Sequence, residues 1–269
     1  MRRFRICTNE EHGVFQRLVI QGVRATAEAH GWAVEVDTES ARRGTVTSLS
    51  ADEGIHVIAN ALPNEQLRAL FNQNVAITLV SHHIPELPIP TVVFNNAQGI
   101  ALLVKHLVED CGRRKIVFVK GIPDQFDAIE REAQFRAELM RHALDADGAL
   151  TIPGDFSPDV AVDSLTALQR QQVHFDAVLA ADYVMARAIT QHLRAQGIHV
   201  PEEVAVAGFG DAPEAEQAGI TTAAADVKEL GRCAGLQLLS QMNGIRIRGR
   251  TTLAVELVVR SSTANQAAG

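Results

Sequence analysis

Residues Val92–Gly121, VVFNNAQGIALLVKHLVEDCGRRKIVFVKG, read as the end of one strand, a polar turn, a helix and a second strand. Val92, Val93 and Phe94 are apolar and β-favouring, and Asn95-Asn96 supplies turn or cap chemistry. Ile100, Leu103, Val104, Leu107 and Val108 then recur at helical spacing. Gly112 ends that helix, and Arg113, Arg114 and Lys115 suit the negative pole of its dipole. Ile116–Val119 is an unbroken apolar run, as in parallel strands covered on both faces.

Units of the same kind lie on both sides. Before it come a short strand at Phe4–Cys7, weakened by the alternating Arg5, and a polar loop from Thr8 to Gly13. A helix follows with Phe15, Leu18, Val19, Gly22 and Val23 on its face, then strands at Trp32–Val36, Ile55–Ala59 and Val75–Val80. Arg42–Asp52 is expected only as a connection, and Asn64–Gln73 as a helix. After it come a helix over Asp127–Leu144, a short strand at Ala149–Ile152, a helix opened by Ser157-Pro158, and strands at Asp176–Ala180 and Val204–Ala207. Asp182 caps a helix, a long loop follows Gly208-Phe209-Gly210-Asp211, and Asp226 opens the last helix. Leu253, Val255, Leu257 and Val259 alternate as one final strand. This alternation of strands and helices predicts an α/β fold with parallel sheets, whose ligands bind beyond the carboxyl ends of the strands.

The 269 residues suggest about two domains at roughly 150 residues each. Hydrophobic residues make up 46% and charged residues 21%, enough to build a core. The net charge of −7 argues against a sequence-independent grip on DNA phosphates. No apolar run approaches the roughly 18 residues of a membrane span, and no secretory apolar region follows the N-terminus. Cys7, Cys111 and Cys233 lie far apart without metal-ligand spacing and read as reduced thiols of a cytoplasmic protein. His82-His83 at a strand end point apart and have no cysteine or acidic cluster beside them, so no metal is expected. No nucleophile elbow, phosphate loop or zinc motif is visible, so neither an enzyme nor a cofactor is expected. The run Gly244–Arg250 reads as a solvated basic connection.

Several motifs in order resemble the regulatory core of the lactose-repressor/galactose-repressor (LacI/GalR) family. They are Val93-Phe94-Asn95-Asn96 with Gly99, His106-Leu107, Gly112 to Ile116, and Glu130-Arg131 before Phe135. Further on come Ala181-Asp182, Val200 to Val204, Gly208-Phe209-Gly210-Asp211, Thr221-Thr222, Gly231, and Val255 to Ser261. The resemblance implies a periplasmic-binding-protein-like fold of type I: two doubly wound parallel-sheet subdomains with a ligand cleft between them. The expected division is 1–94 plus about 226–248 for one subdomain, 95–225 plus about 249–263 for the other, and a tail at 264–269.

The resemblance implies a core that binds a small polar effector and dimerises, signals by hinge closure, and contacts DNA only through a helix-turn-helix headpiece preceding it. The chain starts at the core, which leaves open a second reading, the sensing segment of a multidomain kinase or nucleotide cyclase. An α/β enzyme is the third reading. The residues expected at the ligand are Arg131, Asp182, Asn95 and Asp211 of one subdomain and Glu10, His12, Phe15 and His82 of the other. Arg131 matches the family's cleft arginine, whose planar guanidinium reads oxygen pairs. Where the family usually offers an Asn and an Asp for sugar hydroxyls, this chain has Ala181 and Gly210, implying a ligand less hydroxylated than a hexose. As a cleft residue, Arg131 changed to Ala should abolish the ligand-induced thermal shift and leave the unliganded melting temperature nearly unchanged.

Overall fold

The computed structural model describes residues 2–145 and 149–264. The chain runs β1 (Arg3–Cys7), α1 (Val14–Glu28), β2 (Ala33–Asp37), α2 (Thr38–Arg43), β3 (Glu53–Ile58), α3 (Asn64–Asn72) and β4 (Ile77–Val80). It continues through β5 (Thr91–Phe94), α4 (Asn96–Lys105), β6 (Ile116–Val119), α5 (Phe126–Arg141), β7 (Thr151–Ile152), α6 (Pro158–Arg170) and β8 (Ala177–Ala180). The last third holds α7 (Tyr183–Ala195), β9 (Ala205–Phe209), α8 (Pro213–Gln217), β10 (Thr221–Ala224), α9 (Val227–Met242), β11 (Arg250–Leu253) and β12 (Glu256–Val258). Contacts divide it into two compact units, Met1–Phe94 with Asp226–Leu253, and Asn95–Ala225 with Ala254–Gly269.

The first unit is one parallel sheet in the order β11-β5-β4-β3-β1-β2. Both faces of it are covered, as the alternation along β3 shows. Ile55 and Val57 pack with Leu67 and Leu70 of α3, whereas a side chain at Gly54 would strike Leu238 and Met242 of α9. Helices α1 and α9 meet at backbone distance. A Cβ on Gly22 would lie 2.1 Å from the Lys228 carbonyl oxygen, and one on Gly231 would lie 2.1 Å from that of Val19. Only glycine at both positions allows that approach.

Arg5 weakens β1 as a sequence signal but not as a strand. The side chain ion-pairs with Glu53 at 3.0 Å and Asp37 at 3.5 Å, while Phe4, Ile6 and Cys7 on either side are fully buried. The stretch expected as a plain connection from Arg42 begins inside a short helix, α2, which runs to Arg43. Asp37 caps α2 by accepting from Ser40 N at 2.8 Å, and Gly44 closes it at φ +68°.

The second unit has the order β12-β10-β9-β8-β6-β7, parallel except for β12 against β10. Helix α4 runs on into one π-helical turn, His106–Asp110, and Gly112 follows at φ +69°. Two expectations need correction. The long loop after Asp211 holds α8 and the strand β10, whose fully buried Thr221 and Thr222 carry no apolar signal. The single final strand is two: β11 pairs with β5 in the first sheet, and β12 pairs with β10 in the second. The change of unit therefore falls after Leu253, not at residue 249. Alternation in sequence specifies faces of a strand but not which sheet edge receives it. Of the expected tail, residues 265–269 lie outside the described residues. Among the described residues, no helix is long and apolar enough to cross a membrane.

Candidate functional site

In the second unit the carboxyl ends of β8 and β9 and the starts of α4 and α5 converge on Arg131. Its position on α5 is set by a helix that begins at Phe126, so Asp127 lies one turn back and pairs with it at 3.6 Å. Arg131 Nε donates to Asn96 Oδ1 at 2.8 Å, and Nη1 donates to the Ala181 carbonyl oxygen at 2.8 Å. Asn96 is the first residue of α4 and fully buried. Its Nδ2 in turn donates to Asp127 Oδ1 at 2.8 Å and Glu130 Oε2 at 3.0 Å. The guanidinium carbon stands 3.9 Å from the centroid of the Phe209 ring at the end of β9.

Arg131 is only 6% exposed. Burial lowers its pKa, opposed by the carboxylates of Asp127, Asp182 and Glu130. This overturns the expectation that its removal would leave the unliganded protein unaffected. The arginine ties four elements together, and without it the buried Asp127 carboxylate would lose its counter-ion and the Ala181 carbonyl a hydrogen-bond donor. Of the five N–H donors of a guanidinium, the bonds to Asn96 and Ala181 occupy Nε and one on Nη1, and Nη2 faces Asp127 Oδ2 at 3.6 Å.

Asp182 caps α7, its Oδ1 accepting from Met185 N at 2.8 Å. Burial pushes its carboxyl up to about 6, against the Met185 N–H and the Arg131 charge, which favour the ionised form. Asn95 caps α4 by accepting from Gln98 N at 3.0 Å. Asp211 is engaged elsewhere. Both of its oxygens take a fork from Arg260, at 2.8 Å and 3.1 Å, and Arg260 also holds the Ile220 carbonyl oxygen at 2.7 Å. Its geometry is that of a brace between the end of β9 and the chain after β12. Gly210 sits at φ +81°, a left-handed conformation that suits glycine, and Ala181 is fully buried. The two departures from the family pattern thus remove polar groups from the ends of β8 and β9.

The other four candidates belong to the first unit, at the carboxyl ends of β1 and β4. Glu10 is exposed, with its backbone oxygen accepting from Thr8 Oγ1 at 2.7 Å. The His12 side chain is 92% exposed beside Glu11. Phe15, in the first turn of α1, is half-buried. His82 is buried, its Nε2 2.9 Å from Asn64 Oδ1 at the start of α3. Among the described residues no group of three or more His, Cys, Asp or Glu could hold a metal ion.

The sequence reading singled out Arg131 and Asp182 but missed Asn96 and Asp127 as Arg131's buried partners and Phe209 as its platform. Asn96 and Phe209 stood in the motifs already quoted; their burial is what distinguishes them, and burial is not written in the residue type.

Two α/β units with polar side chains gathered at the carboxyl ends of their parallel strands define a ligand-binding core of the periplasmic-binding-protein class. The chain belongs to the periplasmic binding protein-like domain family, whose model matches residues 104–263, and its relatives are LacI-type transcriptional regulators. It is 32% identical to the transcriptional regulator CelR of Thermobifida fusca over 180 residues, 66% of this chain and 51% of that protein. It is 26% identical to the transcriptional repressor CytR of Escherichia coli K12 over 255 residues, 91% of this chain and 74% of that protein. The chain thus spans about half the length of CelR. Among solved structures, a CelR–cellobiose complex superposes with a TM-score of 0.85 at 24% identity, covering 97% of this chain and 84% of that one. CcpA of Lactococcus lactis superposes with a TM-score of 0.86 at 18% identity, covering 98% of this chain and all (100%) of that one.

Proposed function

We propose that this chain is the effector-binding and dimerisation core of a LacI-type transcriptional regulator, working in the cytoplasm, with DNA contacted through a headpiece of the family type and not by the core. The observation that carries the reading is Arg131. Within the family-matched region it is fixed at the carboxyl ends of β8 and β9 by Asn96, Ala181, Phe209 and Asp127, with more N–H donors than its two hydrogen bonds use. A preformed guanidinium loses little freedom when it captures oxygens, so its donors favour a small polar ligand. The CelR structure is a complex with cellobiose, and another superposing regulator, from Enterococcus faecium, has bound ribose. Ala181 and Gly210 remove hydroxyl partners, so the effector we assign is polar but less hydroxylated than a hexose.

A thermal-shift screen over sugars, sugar phosphates, nucleosides and carboxylates tests this, since a ligand at 100 times its Kd adds about 2.7 kcal/mol of stability. A hit should bind at least about tenfold more weakly to Arg131→Lys, which keeps the charge and loses the planar fork. Unchanged affinity in that variant would remove Arg131 from the site. Light scattering at tens of micromolar should show a two-fold dimer, and a monomer alone would contradict the dimerisation role.

A further inference from the structure

The basic run Gly244–Arg250 has no part in the effector reading, and within the first unit it forms one wall of a groove of about 370 Å³. Its apolar lining comes from Phe71 in the last turn of α3, Val75 just after that helix and Ile247 of the run itself, all part-buried. Arg246 and Arg248 line the rim, are exposed, and make no ion pair among the described residues. No Asp or Glu lines the groove, although the whole chain carries 32 acidic against 25 basic residues. The volume falls in the range of small-molecule pockets, which combine apolar walls with a few placed polar groups.

From this geometry we infer a second ligand site in the first unit, one that takes a small amphipathic anion: an aromatic or branched aliphatic carboxylate. The apolar part lies on Phe71, Val75 and Ile247, and the carboxylate meets Arg246 and Arg248. Charge complementarity selects the anion, because two unpaired guanidinium groups with no carboxylate beside them leave a local positive field in an acidic protein. The size of the groove selects a single ring or branched chain over a polymer. The site stands apart from the residues assigned to the effector. It is built from the residues just before β4 and β5 and the run that leads into β11, the amino ends of those strands, whereas Glu10, His12 and His82 follow the carboxyl ends of theirs.

The test is isothermal titration of the whole chain with 4-phenylbutyrate and with its neutral amide, at physiological salt. The carboxylate should bind and the amide at least about tenfold more weakly. Arg246→Gln with Arg248→Gln, both exposed and so harmless to folding, should weaken carboxylate binding by a similar factor. Arg131→Lys should leave it unchanged, which separates this site from the effector reading. Equal binding of acid and amide, binding indifferent to the double arginine variant, or no binding at millimolar ligand would each overturn the assignment. So would binding of an acidic pentapeptide or of duplex DNA in place of the carboxylate, since either would make the run a macromolecular surface.

Discussion

Arg131 stands over Phe209, its guanidinium carbon 3.9 Å from the ring centroid, and Gly99 packs against the same ring so closely that a Cβ there would come 2.3 Å from Cε2. The Arg131 charge is therefore built into the core of the second unit, so replacing it bears directly on the stability of that unit.

Arg131→Ala should lower unfolding stability by about 3–5 kcal/mol, the cost of leaving a buried charge partner behind. Denaturant unfolding of the unliganded protein measures it. A change under about 1 kcal/mol would mean that Asp127 and Asn96 are satisfied without the arginine.

Asp182 has a folded-state pKa of about 6, above the roughly 3.9 of an unfolded aspartate. The native state binds the proton more tightly between about pH 4 and 6, so this group favours folding below that window, and the contribution is lost as pH rises through it. Asp182→Asn keeps a cap and has no titration. It should match the parent near pH 4 and exceed it by about 1 kcal/mol at pH 7, a modest figure because part of the residue reaches solvent. Asp182→Ala should instead cost about 1 kcal/mol at pH 4, where only the cap is lost. Urea midpoints at the two pH values decide between them.

His56 is fully buried in β3, edge-on to Phe4 with centroids 5.1 Å apart, and neither ring nitrogen has a hydrogen-bond partner among the described residues. Burial alone lowers its pKa to about 3. Between that value and the unfolded 6.5 or so, the unfolded state binds the extra proton. Stability from this residue is thus fully present above about pH 6.5 and falls on acidification by up to about 1.4 kcal/mol per pH unit. His56→Leu should be neutral or stabilising at pH 7 and should flatten the decline between pH 6 and 4. An unchanged slope would place the titration elsewhere.

Arg260 and Asp211 form a two-bond fork whose side chains are 15% and 23% exposed. A double-mutant cycle with Arg260→Ala and Asp211→Ala should give a coupling of about 1–3 kcal/mol in stability. Asp211→Asn should leave effector affinity unchanged, because its oxygens are committed to the brace. A large loss of affinity would return Asp211 to the ligand.

Periodicity, caps and breakers sufficed to read the α/β class and nearly every helix, because an amphipathic face of ten or more residues repeats its signal several times. Short elements escaped. In Thr221–Ala224 the buried Thr221 hydroxyl bonds Arg260 and Thr263, and Thr38–Arg43 is too short to show a period. Arg131 and Asp182 were legible as positions in motifs, as strand-end chemistry.

What the residues determined alone was which long segments form strands and helices and which polar groups follow those strands, since these depend on neighbours a few positions away. Only the tertiary structure decided that Leu253 and Val258 end in different sheets, that Asp211 is spent on Arg260, and that Arg131 is a core residue. Each depends on a partner dozens of residues distant, and burial of a charge becomes tolerable only when those partners arrive together.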